Sequence, residues 1–491
     1  MSTSNPLFIS TAIPFVNARP HLGFALELCI ADVLARHARA RGRDVHFVSG
    51  TDDHSLKNVL AAERAQQPTA AFVEQHSRAF LQLAAALDIS IDRFVHTSRS
   101  PSHAPTVRAL WNACLARGDL YKASYRGLYC VGCERFADPD ETCCPEHEAA
   151  LELVEEDNWY FRLSRYRELL RERIASGAFV LTSPAREETL AFLREPLRDP
   201  CVSRSAERAR GWGLPVPGDA SQVIWVWFDA LAYYLSAVDH GTGSELARFW
   251  HADAERVHVI GKGITRFHAV IWPAILESAG LPWPSALRVH GYLTLEGGKI
   301  SKSGRALDPQ PLIAELGSDA LRYYLLRHVR TTRDGDYSRA RFVTAYNAEL
   351  ANGLGNLANR LFGLAQRCPL PPQAAYSDDT AALRESALAV PGEIDRALGR
   401  FALDEALAVL WKLIELANRT LDRTAPWALI KRGELAAAGE ILRAHLETLQ
   451  VIARELAPFL PRAAHTLTQS LSSRELPPSL SLFPRWIEPH P

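Results

Sequence analysis

Hydrophobic positions along the first hundred residues change period repeatedly, and each change marks a new element. "LFISTAIPF" (7–15) reads as a short apolar strand ending in Pro14. "GFALELCIADVLARHARARG" (23–42) carries apolar residues at helical spacing and stops at Gly42. "DVHFVSGTDD" (44–53) predicts a second strand with a turn at its end, and "AAFVEQHSRAFLQLAAAL" (70–87) a second amphipathic helix. Strand–helix–strand–helix order predicts parallel βαβ units, whose ligands sit at the carboxyl ends of the strands.

From about 115 to 215 the periodicity breaks into turns, cysteines and short segments, as an insertion would. Alternation resumes with "SQVIWVWFDALAYYL" (221–235), "RVHVIGKG" (256–263), a helix over "RFHAVIWPAILESAG" (266–280) and a strand over "ALRVHGYLTL" (286–295). Beyond 340 only helical periodicity remains, in "FVTAYNAELANGLGNLANRLFGLAQR", "FALDEALAVLWKLIELANRTLDRT" and "ELAAAGEILRAHLETLQVIARELAPFL". "CPLPPQAAYSDD" (368–379) reads as a loop between helices, and "SSRELPPSLSLFPRWIEPHP" (472–491) as a loosely held tail. The expected organisation is therefore the first half of an α/β nucleotide-binding domain (1–114), a connective insertion (115–215), the second half of the α/β domain (216–340) and an all-α bundle (341–491).

Composition changes this picture little. A chain of 491 residues with 47% hydrophobic and 23% charged residues is an ordinary globular chain of several domains. Net charge of −1 neither requires nor excludes nucleic acid, so any such contact needs a local basic face. No stretch reaches the ~18 consecutive apolar residues of a membrane helix. The N-terminus lacks a basic region followed by an apolar core, so no secretory signal is expected. Of eight cysteines, four fall between Cys130 and Cys144, a clustering that in a leaderless chain reads as metal before disulfide and implies the cytoplasm.

Three short stretches carry candidate chemistry. "NARPHLGF" places His21 and Gly23 at the corner where the first helix begins, and a helix N-terminus with its unpaired N–H groups favours phosphate. "GTDDHS" puts Asp52 and Asp53 at the end of the second strand, where a carboxylate can hold an ammonium group or simply shape a turn. "EGGKISKSGRALDP" (296–309) sets Lys299 and Lys302 among serines and glycines that let a backbone approach a ligand.

"PHLGF" followed far downstream by "KISKS" resembles the HIGH and KMSKS motifs of class I aminoacyl-tRNA synthetases. "IPFVNARPHLG", "FVSGTDDHSLK", "YCVGCERF", "WGLPVPGD", "VIWVWFDALAYYLSA", "HVIGKGITRFHAVIWPA", "VHGYLT" and "NAELANGLGNLANR" follow one another as in methionyl-tRNA synthetases, from about residue 7 to about 430. The resemblance implies a Rossmann-type catalytic domain with an inserted zinc-bearing module, followed by a helical anticodon-binding bundle. It implies activation of L-methionine by ATP with Mg²⁺, and transfer to tRNA(Met). His21, Lys299 and Lys302 would stabilise charge on the phosphates, with Gly23, Phe24, Gly261 and Ser301 completing the ATP site. Asp52 would take the α-amino group, and Ile13, Phe15, Trp227, Leu231, Tyr234 and His290 would surround the side chain. Asn418 and Trp427 would meet the anticodon.

The same resemblance places a structural Zn²⁺ in the insertion. Cys130-x2-Cys133 and Cys144-x2-His147 form a Cys₃His pattern, with Cys143 as a competing ligand and the family's Cys-Pro turn favouring Cys144. Without an appended C-terminal domain, the expectation is a monomer. Several positions depart from the family: Phe24 in place of His or Asn, Phe15 in place of Tyr, and Gly263 in place of Asp. These departures keep open a paralogue that activates another amino acid or uses a non-tRNA acceptor.

Overall fold

The computed structural model describes residues 5–130, 135–136, 143, 151–295, 298–299, 307–374, 376–473 and 475–487. It forms two compact units. The first comprises Met1–Pro20, Ala38–Ala84 and Ser90–His290, and the second His21–His37, Ala85–Ile89 and Gly291–Pro491.

The first unit is built on a six-stranded parallel sheet. Its strands lie in the order Arg93–His96, Val45–Thr51, Leu7–Thr11, Glu255–Gly261, Ala286–His290, Val180–Leu181. The Leu7–Thr11 strand is buried throughout, with the hydroxyls of Ser10 and Thr11 hydrogen-bonded to His258 and Ser49 at 2.7 Å each. From this strand the chain proceeds outward in one direction through Val45–Thr51. It returns on the other side with Glu255–Gly261, so the order reverses between Leu7–Thr11 and Glu255–Gly261. Ligands of open parallel sheets bind beyond the carboxyl ends at such a reversal. The segment 115–215 contributes an antiparallel ribbon, Leu120–Cys130 against Glu152–Phe161, in register from Leu120↔Phe161 to Tyr129↔Glu152.

The "ALRVHGYLTL" stretch is two strands rather than one. Ala286–His290 belongs to the parallel sheet, whereas Leu293–Leu295 pairs with Gly298–Lys299 and Gly335–Tyr337 in a separate three-stranded sheet. The break falls at Gly291, where a Cβ would lie 2.1 Å from the Arg333 carbonyl oxygen. Only a residue without a side chain allows that backbone approach.

In the second unit the predicted helices appear at Leu22–Ala40 (through His37), along the consecutive helical segments Arg339–Ala345, Tyr346–Gly355 and Asn356–Ala365, and at Leu403–Thr424 and Leu435–Leu456. Two further helices, Asp378–Gly399 and Pro461–Ser472, join them. The tail is held rather than loose. Asn347 accepts the Trp486 N–H at 2.9 Å and donates to the Trp486 carbonyl at 3.0 Å, Tyr346 donates to the Pro484 carbonyl at 2.8 Å, and Asn359 accepts the Leu480 N–H at 3.1 Å. Side chains of one helical stretch satisfy the backbone of this segment, an arrangement that leaves no periodic trace in the tail itself.

A buried ion pair anchors this unit. Arg322 and Asp32 are both fully buried and meet at 2.7 Å, while the Arg322 guanidinium also donates to the carbonyls of Leu87, Pro458 and Phe459. Removing Arg322 orphans three buried carbonyls and leaves the buried Asp32 carboxylate with Arg36, at 2.8 Å, as a remaining charge partner. Arg322→Met is expected to destabilise the protein by roughly 3–5 kcal/mol in denaturant unfolding. Adding Asp32→Asn should restore only part of the loss, because the three carbonyls stay unpaired.

Candidate functional site

Beyond the carboxyl ends of the first two strands the chain keeps its parallel pairing for one more step. Phe15 and Asp52 form an isolated parallel bridge, with the Asp52 N–H donating to the Pro14 carbonyl at 3.0 Å. Gly50 makes this closeness possible, since a Cβ there would lie 2.3 Å from the Val95 carbonyl oxygen and 3.1 Å from the Ile13 side chain. Asp52 is only 2% exposed. Its Oδ1 accepts the His54 N–H at 3.3 Å, and Asn58 ties down the carbonyls of Asp52 and Asp53 at 3.0 and 2.9 Å. The neighbouring Asp53 accepts from the Ser98 hydroxyl at 2.6 Å, so the second aspartate of the pair shapes the loop.

An aromatic wall adjoins Asp52. Trp227 and Phe267 stack at 3.7 Å between centroids, Phe15 meets Trp227 edge-on at 6.4 Å, and the Lys57 ammonium lies 5.1 Å from the Phe15 ring centre. Ile13 and Leu231 supply aliphatic surface to the same core. Tyr234 stacks on His258 at 3.9 Å and hydrogen bonds to His268 Nε2 at 2.7 Å. His268 begins its contact from a π-helical turn, Phe267–Ile271, a geometry that recurs where a helix carries a site. Because His268 Nδ1 faces the Ile264 carbonyl at 3.0 Å, its proton resides on Nδ1 and Nε2 accepts from the tyrosine. Burial pushes the His268 pKa down to about 4, and that of His258 well below the ordinary value. Both rings are neutral, so they add polarity without charge to the aromatic wall. His290 ends its strand beside Gly261, 3.5 Å from where a Cβ on that glycine would sit.

A second feature lies behind the wall. Asp229, 1% exposed, receives His54 Nδ1 at 2.6 Å on one oxygen and His103 Nε2 at 2.7 Å on the other. Burial alone would raise its pKa, but the charges and hydrogen bonds of His54 and His103 hold it well below the usual carboxylate range. For His54 burial opposes the proton, and the Asp229 carboxylate outweighs it, so the pKa rises above the usual histidine value.

In the second unit, the Gly23 N–H donates to His21 Nδ1 at 3.0 Å, which places the proton of the neutral ring on Nε2. A Cβ on Gly23 would come within 2.9 Å of that ring. The Leu22 N–H donates to the Leu307 carbonyl at 3.2 Å, fastening the helix corner to the distal end of the lysine-bearing stretch. Lys299 lies at its proximal end, opposite Thr294 in the antiparallel pair. Phe24 is buried at 7% exposure. Asn418 donates to the carbonyls of Gly353 and Ile414, and Trp427 is 37% exposed with the Arg360 guanidinium over its ring at 5.2 Å. Ser301, Lys302, Cys133, Cys144 and His147 lie outside the described residues. Cys130 is buried at the end of its strand, facing Arg135 in the hairpin register, and Cys143 is exposed. Among the described residues no group of three or more metal-ligating side chains occurs, and no helix is long and apolar enough to cross a membrane.

Sequence reasoning missed Phe267, His268, Asp229, His54 and His103. The available signal was the run "TRFHAVIWPA", in which a phenylalanine and a histidine directly precede an apolar helix, and the lone acid at Asp229 inside the apolar run "VIWVWFDAL". A charge in such a run must find a partner, although the run does not say which.

The family described as tRNA synthetases class I (M) matches residues 7–152 and 146–362, and the anticodon binding domain of methionyl tRNA ligase matches residues 370–479. A methionine–tRNA ligase of Thermotoga maritima is 36% identical over 483 residues, covering 96% of this chain and 76% of that relative. One of Brucella suis biovar 1 is 35% identical over 512 residues, covering 98% of each. The structure of Mycobacterium tuberculosis methionyl-tRNA synthetase in complex with methionyl-adenylate matches with a TM-score of 0.92 at 34% identity, covering 98% of this chain and 100% of the other.

The neutral His268 has a consequence for acid stability. Between the unfolded value of 6.5 and the folded value of about 4, the unfolded chain binds more protons, so stability falls as pH drops through that window. His268 alone should contribute a loss of roughly 2–3 kcal/mol between pH 7 and 4.5. Chemical denaturation across this range should show a shallower pH slope for His268→Gln than for the unsubstituted protein.

Proposed function

The chain belongs to the methionyl branch of the class I aminoacyl-tRNA synthetases, and on that footing we propose which residues carry each part of the reaction. The activity is methionine–tRNA ligation: ATP activates methionine as methionyl-adenylate, and the methionyl group passes to tRNA. In the first step the methionine carboxylate attacks the α-phosphorus in line and pyrophosphate leaves. No covalent enzyme intermediate is needed, so catalysis rests on placement and on charge stabilisation in the transition state.

Asp52 takes the α-ammonium group. The observation that carries this reading is a buried carboxylate bridged through its backbone to Phe15, beside the Trp227–Phe267 stack. A zwitterion with an apolar, polarisable side chain answers both features: its ammonium meets the carboxylate and its sulfur gains from contact with aromatic rings. Ile13, Phe15, Trp227, Leu231 and Tyr234 surround the thioether, with His290 at the neighbouring strand end. The Phe15 ring gives apolar surface where a tyrosine would add a hydroxyl.

ATP is held by His21, Gly23, Phe24, Gly261, Lys299, Ser301 and Lys302, and Mg²⁺ accompanies it to neutralise phosphate charge. The Nε2–H of His21 is a donor for a phosphate oxygen, and the Leu22–Leu307 hydrogen bond supports bringing the lysine stretch to the same helix corner. Cations there stabilise the charge that develops on the α-phosphate oxygens and on pyrophosphate. Asn418 and the exposed Trp427 face take part in reading the anticodon of tRNA(Met), where stacking on an unpaired base is worth ~1–3 kcal/mol.

Cys130, Cys133, Cys144 and His147 form the zinc site of the insertion. Three thiolates and an imidazole suit tetrahedral Zn²⁺, and such a site contributes folding energy rather than chemistry.

Amino-acid-dependent ATP–pyrophosphate exchange across the twenty amino acids tests the reading: exchange should occur with methionine, whereas selective exchange with another amino acid would overturn it. Asp52→Asn should raise the KM for methionine roughly 10- to 150-fold, the worth of a charge-assisted hydrogen bond. Lys302→Ala should lower kcat roughly 10²–10³-fold. Metal analysis of the purified protein should find one zinc per chain, and His147→Ala should lose it.

A further inference from the structure

We infer that Asp229 is a positioning residue for amino-acid recognition: clamped between His54 and His103, it locks the loop that aims Asp52 to the helix that carries Trp227 and Leu231. The inference rests on the assignment of Asp52 to the α-ammonium group and extends it to residues behind the aromatic wall.

The geometry follows from the helix Val226–Leu231. Trp227 and Leu231 are four residues apart and share one face, while Asp229 lies two residues on from Trp227, about 200° around, on the opposite face. Asp229 therefore does not meet the ligand. Its carboxylate is bonded from two directions: by His54, the second residue after Asp52, and by His103, the first residue of the helix His103–Ala116. His103 is fixed in turn by Ser236 at 2.9 Å, and Ser102 donates to the Ser236 carbonyl at 3.1 Å.

His54 couples the clamp to Asp52. Its ring is held by Asp229, and its backbone N–H donates to Asp52 Oδ1. Trp212 reinforces the loop from outside, with its indole N–H on the Asp53 carbonyl at 2.7 Å and its ring 6.0 Å from the His54 ring. With its ring no longer tied to Asp229, the His54 backbone would be free to shift, and the amide that donates to Asp52 Oδ1 would shift with it, turning the Asp52 carboxylate relative to Trp227. The clamp thus sets the distance and angle between the group that takes the ammonium and the wall that takes the side chain. An amino acid is recognised by both ends together, so looseness in this link weakens methionine binding while leaving ATP binding alone.

The test measures exchange kinetics for Asp229→Asn, His54→Ala and His54→Asn. Asp229→Asn keeps the volume but removes the charge, His54→Ala removes the link, and His54→Asn keeps a donor close to the place of Nδ1. The first two should raise the KM for methionine about 10-fold or more, with the KM for ATP within 2-fold and kcat within 3-fold. His54→Asn should return the methionine KM to within about 3-fold of the unsubstituted value. The double variant Asp229→Asn/His54→Ala should be no worse than the poorer single variant, because both cut the same link. Equal rises in both KM values, a fall confined to kcat, or no rescue by His54→Asn would overturn the inference and leave Asp229 a core residue. Should Asp229→Asn fail to fold, the His54 pair still decides. If the unsubstituted protein exchanges with another amino acid, the methionine assignment fails. The clamp is then judged on the KM for that amino acid, whose α-ammonium is the same.

Discussion

A carboxylate removed from water has to be met by positive charge or by several donors, and Asp229 is where that requirement organises the first unit. Its two oxygens draw in His54 from the end of the second strand and His103 from the start of a helix. Three segments are thereby brought to one point behind the aromatic wall. Stability alone does not call for such a centre, since a well-packed hydrophobic replacement of a buried ion pair is often neutral or better. What the hydrogen bonds add is direction: each partner has one angle at which it can meet the carboxylate. The Arg322–Asp32 pair imposes the same discipline in the second unit, with three backbone carbonyls added to the charge partner.

The parallel sheet supplies the frame for this centre. Its order reverses between Leu7–Thr11 and Glu255–Gly261, and the residues beyond Thr11 and Thr51 continue far enough to bridge Phe15 with Asp52. The core beneath is unusually polar for a parallel sheet, with Ser10 bonded to His258 at 2.7 Å and Tyr234 stacked on the same ring. Burial keeps His258 and His268 neutral, so these groups give orientation to the tyrosine without adding a charge to the aromatic wall. Charge is concentrated instead on Asp229, where His54 and His103 provide the counter-charge.

Part of this arrangement is legible in the order of residues alone. Apolar periods of two kinds located the strand Leu7–Thr11 and the helices Leu22–Ala40, Leu403–Thr424 and Leu435–Leu456, because those patterns arise from contacts within a few residues. The order of "PHLGF", "GTDDHS", "VIWVWFDALAYYLSA" and "KISKS" placed the chain in its family, and the matched relatives agree over nearly its whole length. Where periodicity was read too simply, backbone proximity was the reason. "ALRVHGYLTL" divides at Gly291 because the Arg333 carbonyl passes against it, and the tail is fixed by Asn347 and Asn359, residues far from it in sequence.

The amino-acid sequence by itself determined the elements, their order and the residue types available for chemistry, since each depends on short-range pattern. Only the tertiary structure decided which of several equivalent side chains meet. His268 rather than another histidine bonds to Tyr234 from 34 residues away, and Asp229 finds its two histidines at separations of 126 and 175 residues. No local period encodes such pairings. They are set when the parallel strands come into register, because closing those loops brings particular side chains within hydrogen-bond reach.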